Sequence, residues 1–215
     1  MGFIFKEKLK LVFLCVCICV NASHTYAQDV QSAYVTKPFF IEKGFITGFG
    51  AGFNALQVPE GNYQTWYFQG KFSREITRKR RSNDNKNIFG RALLTFEPQI
   101  NPVFIVFDKN RDFKNEIEFG LSVGLQQSFI INNTFEAYIM GSIAPFFTSV
   151  RTVRQAQGFL FADNIGLGTY IYLQKDKKLA LNIGFRLRHL SNANTRIPNL
   201  GINTRNYLIG ISWFW

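Results

Sequence analysis

Beyond residue 24 the chain has one histidine, His189, and a serine follows it two positions later in the run His189-Leu190-Ser191. A serine hydroxyl is a poor nucleophile until a base removes its proton, and imidazole is the side chain that titrates near neutral pH. In an extended strand, residues two apart point to the same side, so His189 and Ser191 would share a face. That spacing suits acyl transfer by a hydroxyl nucleophile and its base. In an arbitrary membrane protein the same pair would be two polar residues of an interfacial girdle, so the elements that carry it decide its meaning.

Those elements are strands. From Ile117 to Leu125 the odd positions are Ile, Phe, Leu, Val and Leu, while the even ones are Glu118, Gly120, Ser122 and Gly124. The same two-residue period recurs over Phe45 to Phe53, Tyr63 to Arg74, Phe89 to Pro98, Phe135 to Phe147, Phe159 to Leu173, Leu179 to Leu187 and Tyr207 to Trp215, making eight segments. One face of each is hydrocarbon. The other holds Gly, Ser, Asn, Glu118, Arg186 and Arg188, too polar for a sandwich core but suited to the filled lumen of a small membrane barrel, where Glu and Arg would pair. The fold class read from the sequence is therefore all-β, an eight-stranded antiparallel transmembrane β-barrel of the outer-membrane type. An even strand number closes the sheet and removes its edges. The aromatic finish Trp213-Phe214-Trp215 resembles the C-terminal signal of bacterial outer-membrane proteins.

The first 27 residues read as a secretory signal peptide: lysines at 6, 8 and 10, an apolar run from Leu11 to Val20, and Thr25-Tyr26-Ala27 before the expected cleavage. The run is too short for a transmembrane helix. Leu14, Val16 and Ile18 precede the three cysteines, which argues against a lipoprotein anchor. With those cysteines removed, residues 28–215 form the barrel domain and contain no thiol, which excludes disulfides and cysteine nucleophiles. One histidine without cysteine makes a transition-metal site unexpected, and no metal or other cofactor is expected. The whole chain has 25 Lys+Arg against 14 Asp+Glu, and losing Lys6, Lys8, Lys10 and Glu7 leaves +9. After export, the anionic partner of such a chain is a phosphate-rich membrane surface and not nucleic acid. Periplasmic turns are expected near Ile76 to Asn87, Ile130 to Asn133 and Lys175 to Lys177, the first of them long where short turns are usual. External loops are expected near Leu56 to Asn62, Asn101 to Asn115, Val150 to Gln157 and Asn192 to Thr204. The basic run Thr77 to Arg81 falls in a periplasmic turn and has no functional reading beyond a charge cluster.

On this layout the odd residues Leu179, Leu181, Ile183, Phe185 and Leu187 face lipid, and the same parity brings His189 and Ser191 to the outer wall at the external boundary. The string H-L-S-N-A-N-T-R-I-P-N-L-G-I-N, from His189 to Asn203, resembles the H-x-S-N-A-x(4)-P-N-x-G-I-E signature of the lipid A 3-O-deacylase family, the PagL type grouped with acyloxyacyl hydrolases. The resemblance is close over the last two strands and extends loosely over the barrel. It implies a serine-hydrolase site on the lipid-facing wall: Ser191 as nucleophile, His189 as general base, and the Asn192-Ala193 region as the oxyanion-stabilising segment. Pro198, Asn199 and Gly201 match the loop that positions the next strand. Where the family carries glutamate this chain has Asn203, whose side-chain oxygen can accept a hydrogen bond from imidazole but offers no charge.

The leading expectation is an outer-membrane esterase acting on lipid A or lipopolysaccharide, with the 3-O chain as the bond cut. The alternative is a non-catalytic structural, adhesive or lipid-binding barrel. A pore is the weakest reading, since side chains fill an eight-stranded lumen. The sequence leaves open whether the barrel is a homodimer.

Overall fold

A strand with one apolar and one polar face is stable in a bilayer only if its backbone groups find partners and its polar face turns away from lipid. A closed sheet meets both demands. The computed structural model describes residues 41–52, 62–76, 89–106, 113–152 and 155–215. Its strands are β1 (Glu42–Gly52), β2 (Asn62–Glu75), β3 (Phe89–Val106), β4 (Phe113–Ile130), β5 (Phe135–Thr148), β6 (Gly158–Tyr172), β7 (Leu179–Ser191) and β8 (Ile202–Phe214). They form one closed antiparallel barrel in which each strand pairs with its sequence neighbours and β8 returns to β1. The expected leader and cleavage point, the basic run at 77–81 and most of the first external loop lie outside the described residues.

The boundaries differ from the sequence reading chiefly at β3 and β4. The strand expected to stop at Pro98 runs on through Pro102 to Val106, and β4 begins at Phe113, so the expected loop from Asn101 to Asn115 is mostly strand. Proline lacks the N–H that a ladder needs, yet each strand nitrogen faces only one neighbour. Pairing of β3 with β2 lapses opposite Pro98 and Pro102, while both prolines stay in register with Leu121 and Ile117 of β4. Pro145 does the same in β5: its pairing lapses toward β4 and holds toward Phe161 of β6.

The lumen is packed. Arg186 makes a two-pronged contact with Glu97, at 2.7 and 2.9 Å, and Arg188 donates to Glu118 at 2.8 Å and to Thr204 at 3.2 Å. Tyr63 donates to the same Glu118. Lower down, Glu42 accepts from Ser73, Tyr170 and Ser212 and lies 3.3 Å from Lys71. Above these ions, toward the loop end, an apolar plug that includes Tyr63, Val103, Phe146, Leu160, Leu190 and Ile202 fills the barrel. Arg186, Arg188 and Leu190 alternate along β7 with Leu187, His189 and Ser191, so the inward half of β7 is fixed by ions and packing while its outward half meets the bilayer.

Removing one partner of a buried ion pair strands the other, at a cost of about 3–5 kcal/mol, whereas replacing both by packed apolar groups is close to neutral. Glu97→Leu is therefore expected to lower the unfolding free energy by about that amount in urea titrations of the vesicle-embedded barrel. The double variant Glu97→Leu with Arg186→Met should recover most of the loss. Equal stability of the single variant and the parent would show that the pair contributes nothing.

Candidate active site

His189 and Ser191 occupy the last turn-side positions of β7, and both have the outward parity of Leu187 and Ile183. His189 is partly exposed and Ser191 is 6% exposed. Asn203 is the second residue of β8 and stands directly opposite His189 in the ladder. Its Oδ1 lies 2.7 Å from Nδ1 of the imidazole. With an amide oxygen against it, Nδ1 carries the ring proton, and Nε2 is left with a free lone pair. Among the described residues, the Ser191 hydroxyl makes no hydrogen bond to the ring. The approach of nucleophile to base is thus one of shared face and spacing, about 6.6 Å along the strand for residues two apart.

A row of outward residues crosses three strands at this height: Asp163 of β6, His189 of β7 and Asn203 of β8. The row above it is Pro145, Phe161 and Ser191. Asp163 was not singled out by sequence reasoning. The available signal was a break in parity, because Phe159, Phe161, Ile165 and Leu167 on the same face of β6 are all apolar.

The loop from Asn192 to Gly201 is bound to itself and to its neighbour. Asn192 N donates to Asn199 Oδ1 at 2.8 Å, and its Nδ2 donates to the Arg196 carbonyl at 2.8 Å. Thr195 closes a turn on the Asn192 carbonyl through both N and Oγ1. Asn199 Nδ2 donates to Asn194 Oδ1, and the Ala156 N–H donates to the Pro198 carbonyl at 2.9 Å, tying the loop to the segment before β6. The Ile197-Pro198 peptide is cis. Ala193 and Asn194 both take left-handed backbone angles, φ 51 and 64, a conformation costing roughly 1–2 kcal/mol for a residue with a side chain. Among the described residues their N–H groups donate to no protein acceptor. The Asn192 side chain is therefore a loop support, and the free donors next to Ser191 are backbone.

Gly201 sits at φ +76, where a side chain is strained. A Cβ there would lie 2.5 Å from His189 Cε1 and 3.1 Å from Nε2. The glycine thus leaves room for the imidazole edge that carries the free lone pair.

The lipid A 3-O-deacylase (PagL) family model matches residues 47–212. The chain belongs to the lipid A 3-O-deacylase family. The match contains all of the site just described. Among solved structures, the crystal structure of the outer membrane enzyme PagL aligns with a TM-score of 0.53 at 14% identity, covering 79% of this chain and 97% of that one. Neisserial surface protein A aligns nearly as well, with a TM-score of 0.52 at 10% identity over 81% of this chain and 97% of that one. These likenesses support the eight-stranded outer-membrane barrel, and the family match alone distinguishes a deacylase from other barrels of that shape. No curated protein matches the chain.

Gly201→Ala is expected to leave the barrel folded, with an unchanged strand signal in circular dichroism, and to push the imidazole off Asn203. In micelle NMR the slowly exchanging Nδ1 proton of His189 should then be lost. Its persistence at the parent's chemical shift would mean that the ring tolerates the added methyl.

Proposed function

We propose that the chain is an outer-membrane serine esterase that hydrolyses an ester-linked acyl chain, the 3-O chain, of lipid A. The observation that carries this reading is the 2.7 Å contact between Asn203 Oδ1 and His189 Nδ1 on the lipid-facing wall, two residues from Ser191. A structural girdle has no need to fix which ring nitrogen bears the proton. A general base does.

In the proposed reaction the substrate lies in the outer leaflet with its ester beside Ser191. Ser191 Oγ attacks the acyl carbonyl while His189 Nε2 takes the hydroxyl proton. The N–H groups of Ala193 and Asn194 are the donors for the tetrahedral oxyanion, and Asn192 and Asn199 hold that loop in place. The bond between the acyl carbon and the sugar's ester oxygen then breaks, leaving acyl-Ser191, and Nε2 passes its proton to the departing sugar alkoxide. Water adds to the acyl-serine with Nε2 again as base, and the fatty acid leaves. Pro198 and Gly201 shape the loop so that the imidazole edge stays open.

The outer wall also offers a path for the acyl chain. An open apolar groove of about 710 Å³ runs across β1 to β6, with Gly70, Pro98 and Pro145 among its lining residues and Phe119, Phe147 and Phe159 along its course. Pro145 is the cross-strand neighbour of Phe161, which in turn faces Ser191. Substrate can reach this surface by lateral diffusion within the leaflet.

A second reading, a lipid-binding barrel without catalysis, is favoured only by Asn203 in the position of the family's glutamate. Mass spectrometry of lipid A incubated with purified protein separates the two. Loss of one acyl chain with the parent, and none with Ser191→Ala or His189→Ala, is expected for the esterase; an unchanged lipid A with the parent would support the binding barrel. Asn203→Ala should lower turnover by roughly ten- to a thousand-fold, the range for an orienting hydrogen bond of about 1.5–4 kcal/mol. Asn203→Glu should retain or raise it. If Asn203→Ala matches the parent while the serine and histidine variants are dead, Asn203 is not the orienter.

A further inference from the structure

The row that places Asn203 on one flank of His189 places Asp163 on the other. We infer that Asp163 is the carboxylate of this site: a positioning residue that stabilises the His189 imidazolium across the β6–β7 ladder, in the role left uncharged by Asn203. The inference rests on the esterase reading and adds a residue to it.

Directly opposed residues on one face of an antiparallel pair have their Cβ atoms about 4.5–5.5 Å apart. Asp163 and His189 are such a pair, and their charges are close enough to interact. The surroundings make the choice of aspartate informative. Ile143 faces Asp163 from β5, Phe161 and Ile165 flank it along β6, and Leu187 and Ser191 are its diagonal neighbours on β7. A carboxylate on a lipid-facing wall is unfavourable unless it is near the interface or has a partner. His189 is the titratable group that faces it from β7. From β8 come the uncharged Asn203 and, one row further into the barrel wall, the cation Arg205, opposite Leu187. Arg196 of the loop donates to the Gln157 carbonyl at 3.5 Å, away from this row.

The division of labour follows from chemistry. Asn203 Oδ1 fixes the tautomer through Nδ1 and contributes no net charge. When Nε2 takes the serine proton, the ring becomes cationic in a setting of low dielectric, where a carboxylate one ladder step away acts strongly. Asp163 needs no hydrogen bond to the ring to do this.

Two measurements on the detergent-solubilised full chain test the inference. The first is NMR titration of the His189 ring, which does not depend on catalysis. Asp163→Asn should move its midpoint to lower pH, the direction expected when a facing negative charge is removed, and Asp163→Glu should restore it. The second is deacylation of lipid A. Asp163→Asn should lower kcat by roughly three- to thirty-fold with KM little changed, and the acid limb of the pH profile should shift with the NMR midpoint. In the Asn203→Glu background, where a carboxylate already contacts the ring, the same substitution should be nearly silent. An unchanged His189 titration in Asp163→Asn overturns the inference, whether or not the parent is active. A shifted titration with a parent that releases no fatty acid supports the charge pair and contradicts the esterase reading. A turnover loss of equal size in the parent and the Asn203→Glu background assigns Asp163 a merely structural role and also overturns it.

Discussion

Every backbone N–H and C=O in the hydrocarbon must find a partner inside the protein, and that constraint organises the whole molecule. It forces the eight strands into a ring, and the ring sorts side chains by parity into lumen and wall. Among the described residues, ion pairs and the apolar plug fill the lumen of this narrow barrel. Chemistry on such a scaffold has to be carried on the outside. In the proposed reaction the reactive residues are accordingly wall residues, and the substrate class that can meet them is one that lives in the membrane.

The same parity links stability to the site. Along β7 the inward residues Arg186, Arg188 and Leu190 are held by Glu97, Glu118 and the plug, and they alternate with the outward residues Leu187, His189 and Ser191. The strand cannot twist or slip without breaking buried ion pairs, so the outward row keeps its register with Asp163 and Asn203. Lumenal polarity in this protein thus has a positional consequence: it holds the outward row of β7 in place from the other side of the strand. The loop from Asn192 to Gly201 adds local support through hydrogen bonds that use the Asn192 and Asn199 side chains.

Much of this could be read from the chain because period-two patterning is a local property. The outward parity of His189 and Ser191 followed from Leu179 to Leu187, and that of Asn203 from Tyr207, Ile209 and Ile211. The extension of β3 through Pro98 and Pro102 could not be read, since whether a missing N–H matters depends on which neighbour it would have faced. That lumenal Glu118 would pair with an arginine could be read, and Arg188 is its partner, but Glu97 could not be matched with Arg186, since they meet across the barrel from β3 and β7. Asp163 lies between these cases. Its break in the apolar parity of β6 was visible, but its meaning came from a register that only the folded ladder supplies. The leftover was the left-handed pair Ala193 and Asn194, whose free N–H groups depend on loop geometry that no spacing rule specifies.

The central claim is that Ser191 is a nucleophile activated by His189 on the membrane-facing wall. Its most direct test is covalent capture with a long-chain alkyl phosphonofluoridate, which mimics the tetrahedral stage of acyl transfer and loses fluoride as the serine oxygen bonds to phosphorus. Peptide mass spectrometry of the micelle-embedded protein should find one adduct, on Ser191, and His189→Ala should abolish it. No adduct, or an adduct on Ser191 that forms equally fast without His189, would contradict the claim.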